Sequence, residues 1–298
     1  MSSPFSIKTR RLFTLFLFPA LFIFLTESCA NTKKVSRPGT VPQDFVPVKH
    51  LVFIGLDGWG GAYVSEANMP TVKRMMSQGS WTLDARGVKP SISWPNWSSL
   101  FYGAPPKLRN KEDFPSIFTL VKSNGQTQRS VFFSEWDELY KICPDEAIEK
   151  QDILSDIESA RRIAAYITEK KPFFTAVAFD EPDNTGHNKS WGSAAYYAKL
   201  AELDGLIAII EQAVKDAGIY DSTVFILTAD HGGFSRWHGA YLPKHYKIPV
   251  IFFGYGIKEG FTIPSRVNIY DMTPTMAALM GMEIPPEWTG RILHEIFK

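Results

Sequence analysis

The chain alternates between unbroken apolar runs and stretches with a helical apolar stripe. Residues 50–56, 172–179, 223–227 and 248–254 are apolar almost throughout. Such runs predict strands buried on both faces of a parallel sheet. A shorter run at 130–133 predicts a further strand. Between them the period changes. Ile157, Ala160, Ile163, Ala164 and Ile167 recur on one side of a predicted helix over 153–169. Leu200, Leu203, Leu206, Ile207, Ile210 and Val214 do so over 196–217, which Gly218 closes. Helices are also predicted from Pro70 to a Gly79 cap, from about Pro95, over 117–123, and from Asp271 to Met280 before Gly281. Strand–helix alternation of this kind predicts an α/β fold, a mostly parallel central sheet sandwiched by helices.

The first 47 residues follow a different pattern. Lys8, Arg10 and Arg11 precede an apolar stretch over 12–25, and Ser28-Cys29 follows. A basic start, a short apolar core and a small residue before cysteine read as an export signal. The stretch falls short of the roughly 20 apolar residues that span a bilayer. Residues 1–29 are therefore expected to be a signal peptide with a lipobox-like end, Thr26-Glu27-Ser28-Cys29, and Cys29 the lipidated residue. Residues 30–47, polar and punctuated by Pro38, Pro42 and Pro47, are expected to be a tether. The remaining 48–298 is expected to be one catalytic domain. The protein is expected at the periplasmic or cell surface, held to the membrane by a lipid anchor or its N-terminal segment.

Composition narrows the class. Hydrophobic residues make up 45% and charged residues 21% of 298, an ordinary globular balance. A net charge of +1 gives no electrostatic case for nucleic acid as a bulk partner. The two cysteines, Cys29 and Cys143, cannot form a disulfide framework if the first is lipidated, and neither has metal-ligand spacing.

Candidate chemistry sits where apolar runs stop. The run at 223–227 leads into Asp230-His231-Gly232, and His238-Gly239 follows. The run at 50–56 ends in Asp57-Gly58. The run at 172–179 leads into a loop carrying Asp183 and His187, four residues apart. Acids and imidazoles at buried strand ends are costly unless compensated, and a divalent cation is the usual compensation. Taken singly, each also reads as a capped turn or a solvated loop. Ser93, ahead of Pro95, reads either as a helix N-cap or as a nucleophile at a helix N-terminus. Trp94, Trp97 and Trp237 are either core or a wall beside the site, and Lys89, Arg236 and Lys244 are solvated charges or contacts for a second acidic group. Ligands of open α/β sheets lie at the carboxyl ends of strands, so these residues share one crevice.

Taken in order, Gly55-Leu56-Asp57-Gly58, Ser93-Trp94-Pro95-Asn96, Glu181 through His187, Asp230-His231-Gly232 and His238-Gly239 resemble the motif series of the alkaline phosphatase superfamily, nucleotide pyrophosphatase/phosphodiesterase branch. The resemblance runs from about residue 50 to the C-terminus. It implies two zinc ions, with manganese or iron also compatible with such ligands. One ion is implied on Asp183, His187 and His238, the other on Asp57, Asp230 and His231. His238 is favoured over His245 for the last position by the following glycine. The resemblance further implies Ser93 as nucleophile, a covalent phosphoseryl intermediate, and Asn96 as donor to a phosphoryl oxygen. The implied activity is phosphodiester hydrolysis on a small-molecule substrate. The alternatives are a phosphomonoesterase on the same scaffold and a catalytically silent metal-binding lipoprotein. A formylglycine sulfatase is disfavoured, because Ser93-Trp94-Pro95-Asn96-Trp97 lacks the arginine of that signature.

Overall fold

The computed structural model describes residues 45–106, 114–126, 129–143 and 148–298. The expected signal segment, Cys29 and nearly all of the expected tether lie outside the described residues. In chain order the elements are β1 (His50–Leu56), α1 (Pro70–Ser77), β2 (Gly79–Arg86), α2 (Ser93–Tyr102), α3 (Ile117–Ser123), β3 (Ser130–Ser134) and β4 (Glu149–Asp152). They continue with α4 (Ile157–Lys170), β5 (Phe174–Phe179), α5 (Asp183–Lys189), α6 (Ala194–Asp216) and β6 (Thr223–Thr228). The last are α7 (Pro243–Tyr246), β7 (Lys247–Gly254), β8 (Phe261–Thr262) and α8 (Met272–Leu279).

One eight-stranded sheet runs β4-β3-β5-β1-β6-β7-β2-β8. β1 lies at its centre, parallel to β5 on one side and β6 on the other. Every residue of these three strands is buried, as their unbroken apolar runs require. Gly55 and Leu56 stand level with Ala178 and Phe179 of β5, and Gly55 with Thr228 of β6. Neighbouring strands lie about 4.8 Å apart, so the segments leaving their carboxyl ends emerge within about 10 Å of one another. This register brings the candidate residues together.

Two helical groups cover the sheet: α1, α4 and α5 each pack on α6, and α2, α3 and α8 pack on one another. Under the second group lies an aromatic column, Phe53 against Phe101, Phe101 against Phe118, and Phe118 against Phe132, with centroids 5.0–5.4 Å apart. All four rings are fully buried. Each contributes about 1.5–3 kcal/mol of transfer free energy, which makes this column a principal anchor of α2 on the sheet.

The sheet is mixed. β7 runs antiparallel to both β6 and β2. β2, β4 and β8 are absent from the predicted elements, because their patterns are weak. β4 is wholly polar, Glu-Lys-Gln-Asp, at the edge, and β2 interleaves Thr82, Asp84 and Arg86 with apolar residues. α4 begins at Ile157 rather than 153, because Asp156 caps it, accepting from Ser159 N at 2.8 Å. Ile157, expected on the buried stripe, is exposed as a result. α1 has no cap of its own. Asp204 of α6 supplies one, accepting from Thr71 N and Val72 N at 3.0 and 2.8 Å.

Candidate metal centre

The central strands deliver Asp57 after β1 and Asp230-His231 after β6, while β5 leads through a short turn to α5. The segment holding Asp183 and His187 is helical, not the predicted loop. Asn184 and Gly186 are poor helix formers, which hid it. Glu181 steadies the first turn, accepting from Thr185 N at 3.0 Å, and the Trp191 indole lies where a Cβ on Gly186 would stand. Helical spacing of four places both side chains on one face. His187 Nε2 is 3.3 Å from Asp183 Oδ2.

Six side chains form two groups of potential ligands, Asp183 with His187 and His238, and Asp57 with Asp230 and His231. Within each group the candidate ligand atoms lie within 4.8 Å of one another. Ser93 stands beside the second group. Its Oγ is 3.1 Å from His231 Nε2 and 3.4 Å from Asp57 Oδ1. His238 Nε2 and His231 Nε2 approach Asp183 Oδ1 at 3.8 and 3.9 Å, which links the groups.

The backbone determines how the imidazoles face. His231 Nδ1 lies 3.0 Å from Gly232 O, His238 Nδ1 2.9 Å from Ser91 O, and His187 Nδ1 3.0 Å from Arg236 O. A carbonyl only accepts, so each Nδ1 carries the hydrogen. In a neutral ring Nε2 then presents a lone pair to the centre. Burial keeps His231 and His238 neutral, pulling their pKa values down to about 3 and about 4. Their rings stack 3.9 Å apart.

This arrangement is repulsive on its own. With both aspartates ionised, the His231 Nε2 lone pair faces Asp230 Oδ2 at 3.3 Å and Asp57 Oδ1 at 3.4 Å, acceptor against acceptor. Asp183 Oδ1 and Asp230 Oδ2 are buried without a hydrogen-bond partner. Burial, reinforced by Asp230 and Asp183, pushes Asp57 well above the carboxylate range. Burial likewise raises Asp183 to about 8 and Asp230 to about 7. Carboxyl groups that burial drives to keep their protons, converging with imidazole lone pairs, fit divalent cations, which would take the place of those protons. Imidazole with carboxylate is a donor set zinc accepts, and manganese or iron also.

Asn96 does not fit the role the resemblance implied. It is fully buried. Its Oδ1 accepts from Val88 N at 2.7 Å, and its Nδ2 donates to Ile92 O at 2.9 Å and Pro90 O at 3.3 Å. Both amide hydrogens are spent on the 88–92 loop, so the side chain braces the approach to Ser93 rather than facing a ligand. Ser93 is not an N-cap either. Ile92 holds the cap position, Ser93 is the first helical residue, and no side chain caps α2.

Trp97, which its sequence leaves undecided between core and wall, is core, and it also holds the site. Its Nε1 donates to Asp57 Oδ2 at 2.8 Å, which leaves Oδ1 for Ser93 and His231. The indole fits because residue 55 is glycine: a Cβ there would stand 2.2 Å from Trp97 Cη2. Outer-shell donors of this kind commonly change metal affinity by about 10–100-fold, and that loss is expected for Trp97→Phe in a zinc competition titration. The remaining histidines stand apart from both groups. His245 Nδ1 accepts from Ala240 N at 3.0 Å, His50 Nδ1 is bonded to Pro172 O at 2.7 Å, and His294 is exposed beside Glu295.

The family model for type I phosphodiesterase / nucleotide pyrophosphatase matches residues 51–108 and 118–235. Mouse arylsulfatase K is 33% identical over 102 residues, covering 33% of this chain and 18% of its own. Rat ectonucleotide pyrophosphatase/phosphodiesterase family member 1 is 24% identical over 227 residues, covering 64% of this chain and 24% of its own. The chain thus matches about a fifth to a quarter of these relatives' length. Among solved structures, the 2-O GAG sulfatase BT1596 superimposes with a TM-score of 0.70 at 16% identity, covering 83% of this chain and 73% of that one. Inactive murine ectonucleotide pyrophosphatase/phosphodiesterase 5 in complex with AMP gives 0.68 at 13%, covering 84% and 100%. At these identities the structural likeness is one of fold.

Proposed function

We propose that this chain, which belongs to the type I phosphodiesterase / nucleotide pyrophosphatase family, hydrolyses phosphate diesters through a covalent intermediate on Ser93. The observation that carries the reading is the set of three imidazoles, each tied by Nδ1 to a backbone carbonyl, whose Nε2 atoms share one centre with the buried Asp57 and Asp230, the partly buried Asp183 and the Ser93 hydroxyl. Asp183, His187 and His238 would hold one cation, and Asp57, Asp230 and His231 the other. Cations there would neutralise the carboxylates and supply Lewis acidity to the phosphoryl group.

The chain's own groups account for the rest. Ser93 Oγ gives up its proton and forms a bond to phosphorus as the bond to the ester oxygen breaks, and that oxygen leaves with the electron pair and takes up a proton in exchange. Water then attacks phosphorus and gives up a proton, and Ser93 departs with the electron pair of its bond and is reprotonated. Ser93 is half-buried at the start of α2, within reach of solvent, and Asp57 Oδ1 orients its hydroxyl. The first N–H groups of a helix have no intrahelical acceptor, so those of Ser93 and Trp94 supply the phosphoryl-oxygen contacts that Asn96 does not. Pro95 at the third helical position has no N–H to add.

Sulfatases are among the relatives, but Ser93-Trp94-Pro95-Asn96-Trp97 carries no arginine at its last position, which favours serine chemistry on phosphorus. Export by the N-terminal segment and lipid attachment at Cys29 remain part of the proposal. Among the described residues no helix is long and apolar enough to cross a membrane. Metal analysis with a substrate panel tests the reading. Two metal ions per chain are expected, with EDTA abolishing turnover and bis-p-nitrophenyl phosphate cleaved faster than p-nitrophenyl phosphate. The reverse preference would make the chain a monoesterase. Bound metal with neither ester cleaved would leave a silent metal-binding protein.

A further inference from the structure

We propose that the rim of the site is a docking surface for anionic phospholipid. Of the ten large apolar side chains exposed among the described residues, six stand beside the metal centre: Ile92, Trp94, Phe234, Trp237, Tyr241 and Leu242. Phe234, Trp237 and Tyr241 are 51–59% exposed. The four on the loop after β6 are presented by a rigid frame. Phe234 and Trp237 close a tight hairpin through two backbone hydrogen bonds, at 2.9 and 3.2 Å. Ser235 in that turn has a φ of 57°. The His245 ring sets its edge against Trp237 at 5.5 Å, and Tyr241 stacks on Tyr246 at 4.8 Å. Ser91 pairs with Gly239, which joins the hairpin to the loop before Ser93. A Cβ on Gly239 would touch both Ile92 and Trp237, so the apolar surface is continuous across the two loops.

The two loops that carry this surface have charge of one sign. Residues 85–111 and 231–258 contain neither Asp nor Glu. Lys89 lies over the Tyr241 ring and Lys244 over Phe234, the latter at 4.9 Å from the centroid, while Arg236 occupies the hairpin tip. Half-exposed Trp and Tyr with Lys and Arg among them are the side chains that settle at a bilayer interface, apolar body inward and polar end in the headgroups. Cations on loops that carry no acids of their own favour an anionic surface. The same hairpin carries the Arg236 carbonyl that accepts from His187, and His238 comes directly after it. A lipid headgroup engaged there lies beside the centre. The docking itself does not depend on which ester the site cleaves.

The tryptophans make this testable without catalysis. All eight lie at or after residue 59, so attachment through the N-terminal segment alone brings none of them into lipid. Full-length protein would be mixed with phosphatidylglycerol/phosphatidylcholine vesicles whose acyl chains are brominated, and the quenching of tryptophan fluorescence recorded. Quenching is expected, falling by about half in Trp237→Phe and further in Phe234→Ser/Leu242→Ser, and weakening in 0.5 M salt as screening shortens the reach of the cations. Vesicle-bound protein that stays unquenched would overturn the proposal, as would quenching that Trp237→Phe leaves unchanged. Failure to bind vesicles at all would also overturn it, and would turn the search to an acidic protein partner.

Discussion

Replacing Ser93 with alanine is expected to lower kcat/KM on the diester by at least about a thousandfold, some 4 kcal/mol of transition-state stabilisation. Metal content should not change, because Ser93 belongs to neither group of potential ligands. Stability should also hold within about 0.5 kcal/mol, since no cap is lost. This combination separates a nucleophile from the ordinary use of serine before a helix. An N-cap serine costs about 1 kcal/mol when replaced by alanine and leaves chemistry alone. Here Ile92 occupies the cap position, and Ser93 Oγ instead faces His231 Nε2 and Asp57 Oδ1. Turnover within tenfold of wild type, measured on protein with both metals bound, would remove Ser93 from the reaction.

The parts of this site that are legible in the sequence are those where a local pattern carries a long-range consequence. Asp57 and Asp230 come after uninterrupted apolar runs, and such runs place their carboxyl ends side by side in a parallel sheet. The alternation of strands and helices foretells the sandwich for the same reason. The features that stay hidden are decided by packing between distant segments. The helix at Asp183 is steadied by Glu181 and closed over by Trp191, and neither is written into its own propensities. β2 is a strand because β7 and β8 flank it. The role implied for Asn96 rests on its place three residues after Ser93. In a helix that offset turns it inward, where three backbone groups of the 88–92 loop satisfy it. Trp97 is ambiguous because its signal is held elsewhere, in the absence of a side chain at Gly55. A glycine inside an apolar strand marks a close approach, and that is the one clue the chain offers.

Gly58→Ala is expected to damage fold and metal site together. Gly58 has a φ of 73°, a left-handed conformation costing an L-residue about 1–2 kcal/mol. Its turn has no freedom to relax. The Gly58 N–H donates to Asp230 Oδ1 at 3.1 Å, and its carbonyl accepts from Trp191 Nε1 and Tyr196 Oη, both at 2.9 Å. An added Cβ would stand 2.8 Å from Asp183 Cα, Cβ and Oδ1. Rotating the Asp183 side chain clears only the oxygen, so α5 itself must move, taking His187 with it. Strain at such a site and the displaced neighbours together predict a loss of about 2–4 kcal/mol in denaturant midpoint experiments. The metal on Asp183, His187 and His238 should be lost first. Gly205→Ala is the matched control: it sits within α6 with nothing within 4 Å of its added Cβ, and alanine there should stabilise by about 0.5–1 kcal/mol. A Gly58→Ala protein as stable as wild type with both metals bound would show that the turn is not what holds the two strand ends together.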